Sequence, residues 1–396
     1  MMGAAFSEKE KLWTKSFVSL GVINLVMFIG FQMLNATFTL YIAALGGSEA
    51  VAGVIAGIFS VSAVLTRPFA GWLLDHAGRG LILFLSLLGL ALTTAAYPFI
   101  KILVEVAVLR FLHGIIWSGA PTAATTAVCD ILPRQRFAEG MGIFGTGPAL
   151  SMAVGPLLGL WMWQAGGHRL LFFSSAGFSL LALLVALIFL LPLMRNGSTR
   201  KKEGRLKLGE LLDKSALPPS VVQVLFNMPH GCIMTFIALY SLETGVGSGS
   251  VFFAAMAFTT ILSRVFLGKL ADRRGEQPLV ILGCCCVFAG MVILAVMHEQ
   301  IWFIAAALIY GVGFGIMPPT IQSMATRSAP PERRGAASST YLCAFDIGIG
   351  AGSILAGYLI KFCGYGAMFA AMSACVILAA VLYFGWAKKA QTIAAD

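Results

Sequence analysis

The sequence predicts an all-α integral membrane protein, with twelve transmembrane helices in two pseudo-symmetric six-helix bundles. Three observations predict it. Of 396 residues, 59% are hydrophobic and only 11% charged, where a soluble domain carries about 25% charged. So few charges cannot cover a water-facing surface, and lipid must be the solvent for most of the chain. Apolar spans, each long enough for a crossing that takes about 20 residues, recur twelve times. The chain also repeats itself: "LTRPFAGWLLDHAGRG" (65–80) returns 197 positions later as "LSRVFLGKLADRRGEQ" (262–277) and agrees at seven of sixteen positions.

The spans run at roughly 17–43, 50–73, 81–99, 103–126, 139–164 and 169–193, then 218–241, 250–271, 279–297, 301–326, 337–360 and 365–387. Between the sixth and seventh lies the one long connection, 194–217, with seven basic residues. It divides the chain into an N-terminal bundle (1–193), a linker (194–217) and a C-terminal bundle (218–396). Of the 27 Lys and Arg, 21 fall in the N-terminus, the even-numbered connections with the adjoining end of the eighth span (Lys269), and the C-terminus. That is the positive-inside bias, so both termini and the linker are expected in the cytoplasm of a multi-pass plasma-membrane protein. The net charge of +10 therefore reflects topology, and no nucleic-acid partner is expected. Residues 1–16 are polar and the first span exceeds a secretory core, so no cleaved signal is expected. The eight cysteines, "CCC" at 284–286 among them, show no metal-ligand spacing and read as packing residues. Neither a metal nor a cofactor is expected.

The 197-residue offset extends to Gly114/Gly311, Pro121/Pro318, Pro133/Pro330, Arg136/Arg333 and Gly155/Gly352. Two bundles built alike place a working site between them near the bilayer midplane, with access alternating as one rocks against the other.

At this point the residues resemble a known family. "GWLLDHAGR" (71–79) is similar to the loop 2–3 signature of the major facilitator superfamily, G-x-L-x-D-x-x-G-R. "RFLHG" (110–114) resembles its span 4 signature R-x-x-Q-G, with His113 in place of Gln. "SMAVGPLLG" (151–159) resembles the span 5 motif G-x-x-x-G-P-x-x-G of twelve-span drug:proton antiporters, with Ser151 in place of the first Gly. The resemblance covers essentially the whole chain. It implies the major facilitator fold and favours export over import.

Each motif has a physical reading. Asp75 and Asp272 stand where a span meets a basic turn, with Gly71 and Gly78 around one and Gly268 and Gly275 around the other. A carboxylate there can accept from a neighbouring helix N-terminus and pair with Arg79 or Arg273. Such pairs would latch the bundles on the cytoplasmic side, and the resemblance adds Asp130 to this gate. Gly155 and Gly159, with Ser151, let another helix approach closely, and Pro148 and Pro156 bend the axis. That span is expected to seal one half against the other.

The repeat also filters the charges. Arg110 corresponds to Ala307 and Asp346 to Ala149, and a membrane charge that one half alone carries reads as functional. Arg110 cannot titrate, but it can bias a nearby acid or bind an anion; the resemblance implies a part in proton coupling. Asp346, in "AFDIGIGAGS" (344–353), reads either as a proton carrier or as a partner of the cytoplasmic gate. His113 and His230 are the remaining deep titratable groups. Spans 1, 4, 7 and 10 line the cavity in this family, so the candidate cavity comprises Gln32, Asn35, Arg110, His113, Asn227, His230, Tyr310 and Gln322. Its Phe- and Met-rich surroundings suit an amphipathic solute.

The leading reading is proton-coupled export of a small amphipathic drug or metabolite by a monomer whose partners are that solute, protons and the lipid bilayer. The alternative is a proton symporter importing a small polar solute such as a sugar or organic anion. A non-transporting receptor or an enzyme is the third. No G-x-x-x-x-G-K-[ST] loop and no paired intramembrane acids occur in the sequence, which argues against ATP drive and against catalysis.

Overall fold

A computed structural model of the chain describes residues 12–133, 136–190, 212–274, 276–330 and 333–395. Helices α1 (Lys15–Ala44), α2 (Glu49–Ala77), α3 (Arg79–Ala96), α4 (Leu103–Ile131) and α5 (Phe137–Val185) make up the first half. The second holds α6 (Leu217–Thr244), α7 (Gly249–Arg274), α8 (Gln277–Val296), α9 (Gln300–Arg327) and α10 (Arg334–Ala395). No strand occurs among the described residues. Nine of these helices are long and apolar enough to cross a membrane, and α7 carries a shorter apolar stretch, Gly249–Arg264.

Two helices are each two rods. α5 breaks at Gly166 and Gly167 (φ 65°), and α10 breaks at Gly364 (φ 79°). A positive φ costs glycine little because it lacks a Cβ, so each break turns the chain between spans. Counted as rods, the described residues are compatible with twelve spans. Elsewhere the punctuation is conventional: Thr14 caps α1 by accepting from the Phe17 N–H at 3.2 Å, and Gly78 (φ 90°) ends α2 and starts α3.

The packing repeats with the sequence. In the first half α1 packs on α5, α2 on α4, and α3 on both α4 and α5; in the second α6 packs on α10, α7 on α9, and α8 on both α9 and α10. The halves meet through α2–α10, α5–α7 and α1–α6. We call the end of the bundle where α1 starts the near face, and the opposite end the far face.

Small residues make the seams inside each half. A Cβ on Gly155 would lie 2.5 Å from that of Gln32, and one on Gly159 would lie 2.5 Å from the Met33 carbonyl oxygen. The second half does the same: Gly348 lies against Val224 and Gly352 against Met228. The span 5 glycines thus seat α5 on α1 of their own half, where the sequence led us to expect a seal between halves. The reason is geometric, because the glycine face of α5 is the one turned to α1.

Between the halves a second glycine seam runs along α2 and α10, with Gly53 against Ser353, Gly57 against Ile354 and Gly357 against Glu49. Close backbone approach of this kind maximises dispersion contact where lipid supplies no hydrophobic drive. Toward the far face the halves share one core, which includes Leu34, Phe38 and Tyr41 with Phe236, Tyr240 and Phe252. Toward the near face the first half keeps a core of its own, around Leu20, Leu83, Trp117 and Ala124. The two halves are therefore closed together at the far face.

Most of the linker, 194–211, lies outside the described residues, as do 191–193 before it. Its end is tied down. Asp213 accepts from the Ser215 hydroxyl and the Arg333 Nε, both at 2.5 Å, and its own N–H donates to Thr340 Oγ1 at 2.9 Å. The bonds from Ser215 first, and then from Arg333, hold the Asp213 carboxyl down at about 2.

Candidate functional site

Three arginines lie within the spans, and the fold treats each differently. Arg67 of α2 sits about 15 Å from the near end of its helix, counting 1.5 Å per residue. Its Nη2 and Nε both reach Asp346 Oδ2 of α10, at 2.6 and 2.7 Å, with the side chains only 14% and 18% exposed. This is an ion pair between the two halves, set at the near-face end of their glycine seam. Arg264 of α7, the repeat counterpart of Arg67, has Ala149 where Asp346 would be matched. Its Nε is buried with no acceptor, and Tyr341 and His230 stand within its electrostatic reach.

Arg110 of α4 is 1% exposed. Its guanidinium carbon lies 4.3 Å from the centroid of the Phe38 ring and 4.4 Å from that of Phe59, and Nη2 donates to Asn35 Oδ1 at 3.2 Å. Nε and Nη1 have no acceptor. One turn on, His113 Nδ1 lies 3.4 Å from the Tyr97 hydroxyl. The first half thus gathers Asn35, Arg110 and His113 around an aromatic box.

In the second half His230 stacks on Phe314 at 3.7 Å between centroids, with the Tyr310 hydroxyl 3.5 Å from its Nδ1. Asn227 is fully buried, but it is occupied: Gln223 Nε2 donates to its Oδ1 at 2.7 Å and its Nδ2 donates to the Phe345 carbonyl at 3.1 Å. It fastens α6 to α10. Gln32 is buried beneath Gly155, and Gln322 is half-buried on α9. Asp346 is therefore brought to Arg67 and not to Arg110, His113 or His230.

At the near face Arg79 Nε pairs with Asp130 at 2.9 Å. Arg327 pairs with Glu276 at 3.2 Å. These positions are equivalent under the 197-residue offset, Arg79 with Glu276 and Asp130 with Arg327, so the two halves keep the same ion pair with its sign reversed. The helical paths of α2 and α7 pass through Gly71, Asp75, Gly268, Asp272 and Arg273, but their side chains lie outside the described residues, as does Gly275.

Reading the sequence missed two of these features. The Arg67–Asp346 pair was hidden because Arg67 has a repeat counterpart, and only a charge carried by one half alone was read as functional. The signal was the mismatch itself: both halves keep the arginine, yet only one has an acid for it. The sign-reversed pair could have been found by extending the offset to Glu276 and Arg327.

The described residues hold no group of three or more His, Cys, Asp or Glu placed to bind a metal. The Major Facilitator Superfamily profile matches residues 20–353. The staphylopine export protein of Staphylococcus aureus is 21% identical over 93% of this chain and 95% of its own. The multidrug resistance protein MdtG of Dickeya zeae is 24% identical over 90% of each. Among solved structures, the nucleoside transporter NupG superposes with a TM-score of 0.77 at 11% identity, over 93% of this chain and 99% of that one.

Proposed function

The chain belongs to the Major Facilitator Superfamily, and from that premise we propose that it exports a small amphipathic compound in exchange for protons by alternating access. The observation that carries this reading is the Arg67–Asp346 pair. A carrier must have two states of similar free energy, separated by contacts that break between them. An ion pair across the seam between the halves is such a contact, since both groups can be resolvated when the seam parts. The apolar seam alone would favour closure without a means of release.

The near face is the cytoplasmic one in this reading, with both termini on it and the protein a plasma-membrane monomer. The structure is then the inward-facing state. Arg79–Asp130 and Glu276–Arg327 stand at that face as the parts of a gate, together with Asp75 and Asp272. Arg110, His113 and His230 are the groups through which a proton would be coupled to the solute. Export is supported by the span 5 motif and by the export and multidrug-resistance names of the relatives. The competing reading is proton symport of a small polar solute into the cell. It gains from one observation: Gly155 and Gly159 pack within a half, as Gly352 does in the other, so the motif acts here as a helix seam in both halves.

Counterflow in proteoliposomes tests transport itself. Vesicles preloaded with an unlabelled compound should accumulate its labelled form transiently when the protein is present. Binding of that compound without any counterflow would leave a receptor and sink the carrier reading.

A further inference from the structure

Arg110 has the largest side chain that is fully buried among the described residues. Its hydrogen bond to Asn35 goes to a neutral amide. No carboxylate pairs with it or with Arg264 among the described residues, because Asp346, the deepest acid of the spans, is taken by Arg67. Glu105 sits five residues before Arg110, toward the far end of α4, and is exposed. Among the described residues, then, Arg110 is a buried positive charge and Arg264 a partly buried one, each without a carboxylate partner. Removing a charge from water without a counter-charge costs several kcal/mol per ion, so a buried charge without a carboxylate partner calls for a reason.

The geometry at Arg110 supplies one. The guanidinium carbon lies over the Phe38 and Phe59 rings, where a cation–π contact attracts but offers no acceptor. Nε and Nη1 are buried without an acceptor, and Nη2 donates to the half-buried Asn35. A planar, two-oxygen acceptor is the group that meets guanidinium N–H pairs in their own plane. We propose that the solute carried by this protein bears an acidic group, a carboxylate or an oxyanion of similar shape, and that Arg110 holds it beside Phe38 and Phe59. The proposal rests on the transporter reading and names its substrate class. The aromatic box suits an apolar body attached to that acid. Arg264, without a carboxylate partner among the described residues, adds a second cation from the opposite half, which favours a solute of net negative charge.

The test compares one apolar body with three head groups. Purified protein is unfolded thermally with rising phenylbutyrate, phenylbutyramide or phenylbutylamine, and with naphthylacetate, naphthylacetamide or naphthylethylamine. Carboxylates should stabilise and the matched amides and amines should not. Arg110→Gln should need roughly tenfold to a hundredfold more carboxylate, the range for a hydrogen bond to a charged group. Without any compound, Arg110→Gln should unfold no earlier than wild type, since it removes a buried charge that no described carboxylate pairs with. Any one of four results overturns the proposal: no shift with either carboxylate, an equal shift with amide or amine, an unchanged carboxylate response in Arg110→Gln, or an earlier unfolding of that variant alone. Counterflow of the same compounds separates the two readings. Carboxylates that bind but never exchange would refute transport and leave the anion site standing. Exchange of the amines in preference to the carboxylates would refute the anion site and leave transport standing.

Discussion

Replacing Asp346 by Asn should tilt the balance between the two states of the carrier. Asp346 Oδ2 accepts from both Nη2 and Nε of Arg67, at 2.6 and 2.7 Å. At an effective dielectric of about 20, unit charges near contact attract by roughly 4 kcal/mol. Removing one partner of a fully buried pair costs about 3–5 kcal/mol, because the other charge is left alone. The side chains here keep 14% and 18% exposure, so we discount to about 2–3 kcal/mol for solvent screening. At about 1.4 kcal/mol per tenfold, the ratio of far-closed to far-open molecules falls roughly 30- to 150-fold. Spin labels at Phe99→Cys and Ile301→Cys, both exposed near the far face, report the opening as a distance distribution. Exposed Cys285 and Cys363 are first replaced by Ser. Asp346→Asn should add a longer distance that wild type lacks, and exchanging the pair, Arg67→Asp with Asp346→Arg, should remove most of it. A distribution unchanged by Asp346→Asn, or an exchanged pair no better than either single variant, would refute the reasoning.

The sign-reversed pairs predict that Arg79→Asp and Asp130→Arg each lower thermal stability by less than about 1 kcal/mol, because Asp130 is half-exposed. The double exchange, which gives the first half the polarity of the second, should recover that loss. Gly155→Val should cost about 1–3 kcal/mol by overpacking against Gln32, read as a lower melting temperature. At Asp213 the folded-state pKa is held at about 2, below the ordinary value of about 3.9. The stabilisation is complete above that ordinary value and is lost as pH falls toward 2. Wild type should therefore melt above Asp213→Asn by a constant margin from pH 5 to 8, and the margin should shrink below about pH 4.

Much of the fold was legible because the bilayer leaves few options. Twelve apolar stretches predict twelve rods, and the breaks at Gly166–Gly167 and Gly364 fall in the gaps between spans 5 and 6 and between spans 11 and 12. The 197-residue offset predicted which helices would pack alike, because the same small residues recur at the same seams. The candidate site was legible only in part. Arg110 and Asn35 lie on different helices, and one hydrophobic pattern does not say which faces meet, yet the cavity-lining rule of the family brought both into one list. That rule also admitted Asn227, whose amide is spent on Gln223 and the Phe345 carbonyl. Partner choice was hardest. Asp346 could have served any of three arginines by sequence, and only the approach of α10 to α2 assigns it to Arg67.

The central claim, solute exchanged for protons, is tested most directly by the sign of a proton movement. Proteoliposomes are loaded with pyranine at equal pH inside and out. A compound that stabilises the protein is then added outside, with empty liposomes correcting for its unaided entry. Antiport predicts that the lumen turns alkaline as solute enters and protons leave, and that Asp346→Asn slows the change. A lumen that turns acidic would make the protein a symporter, and a steady pH during proven uptake would remove the proton from the account altogether.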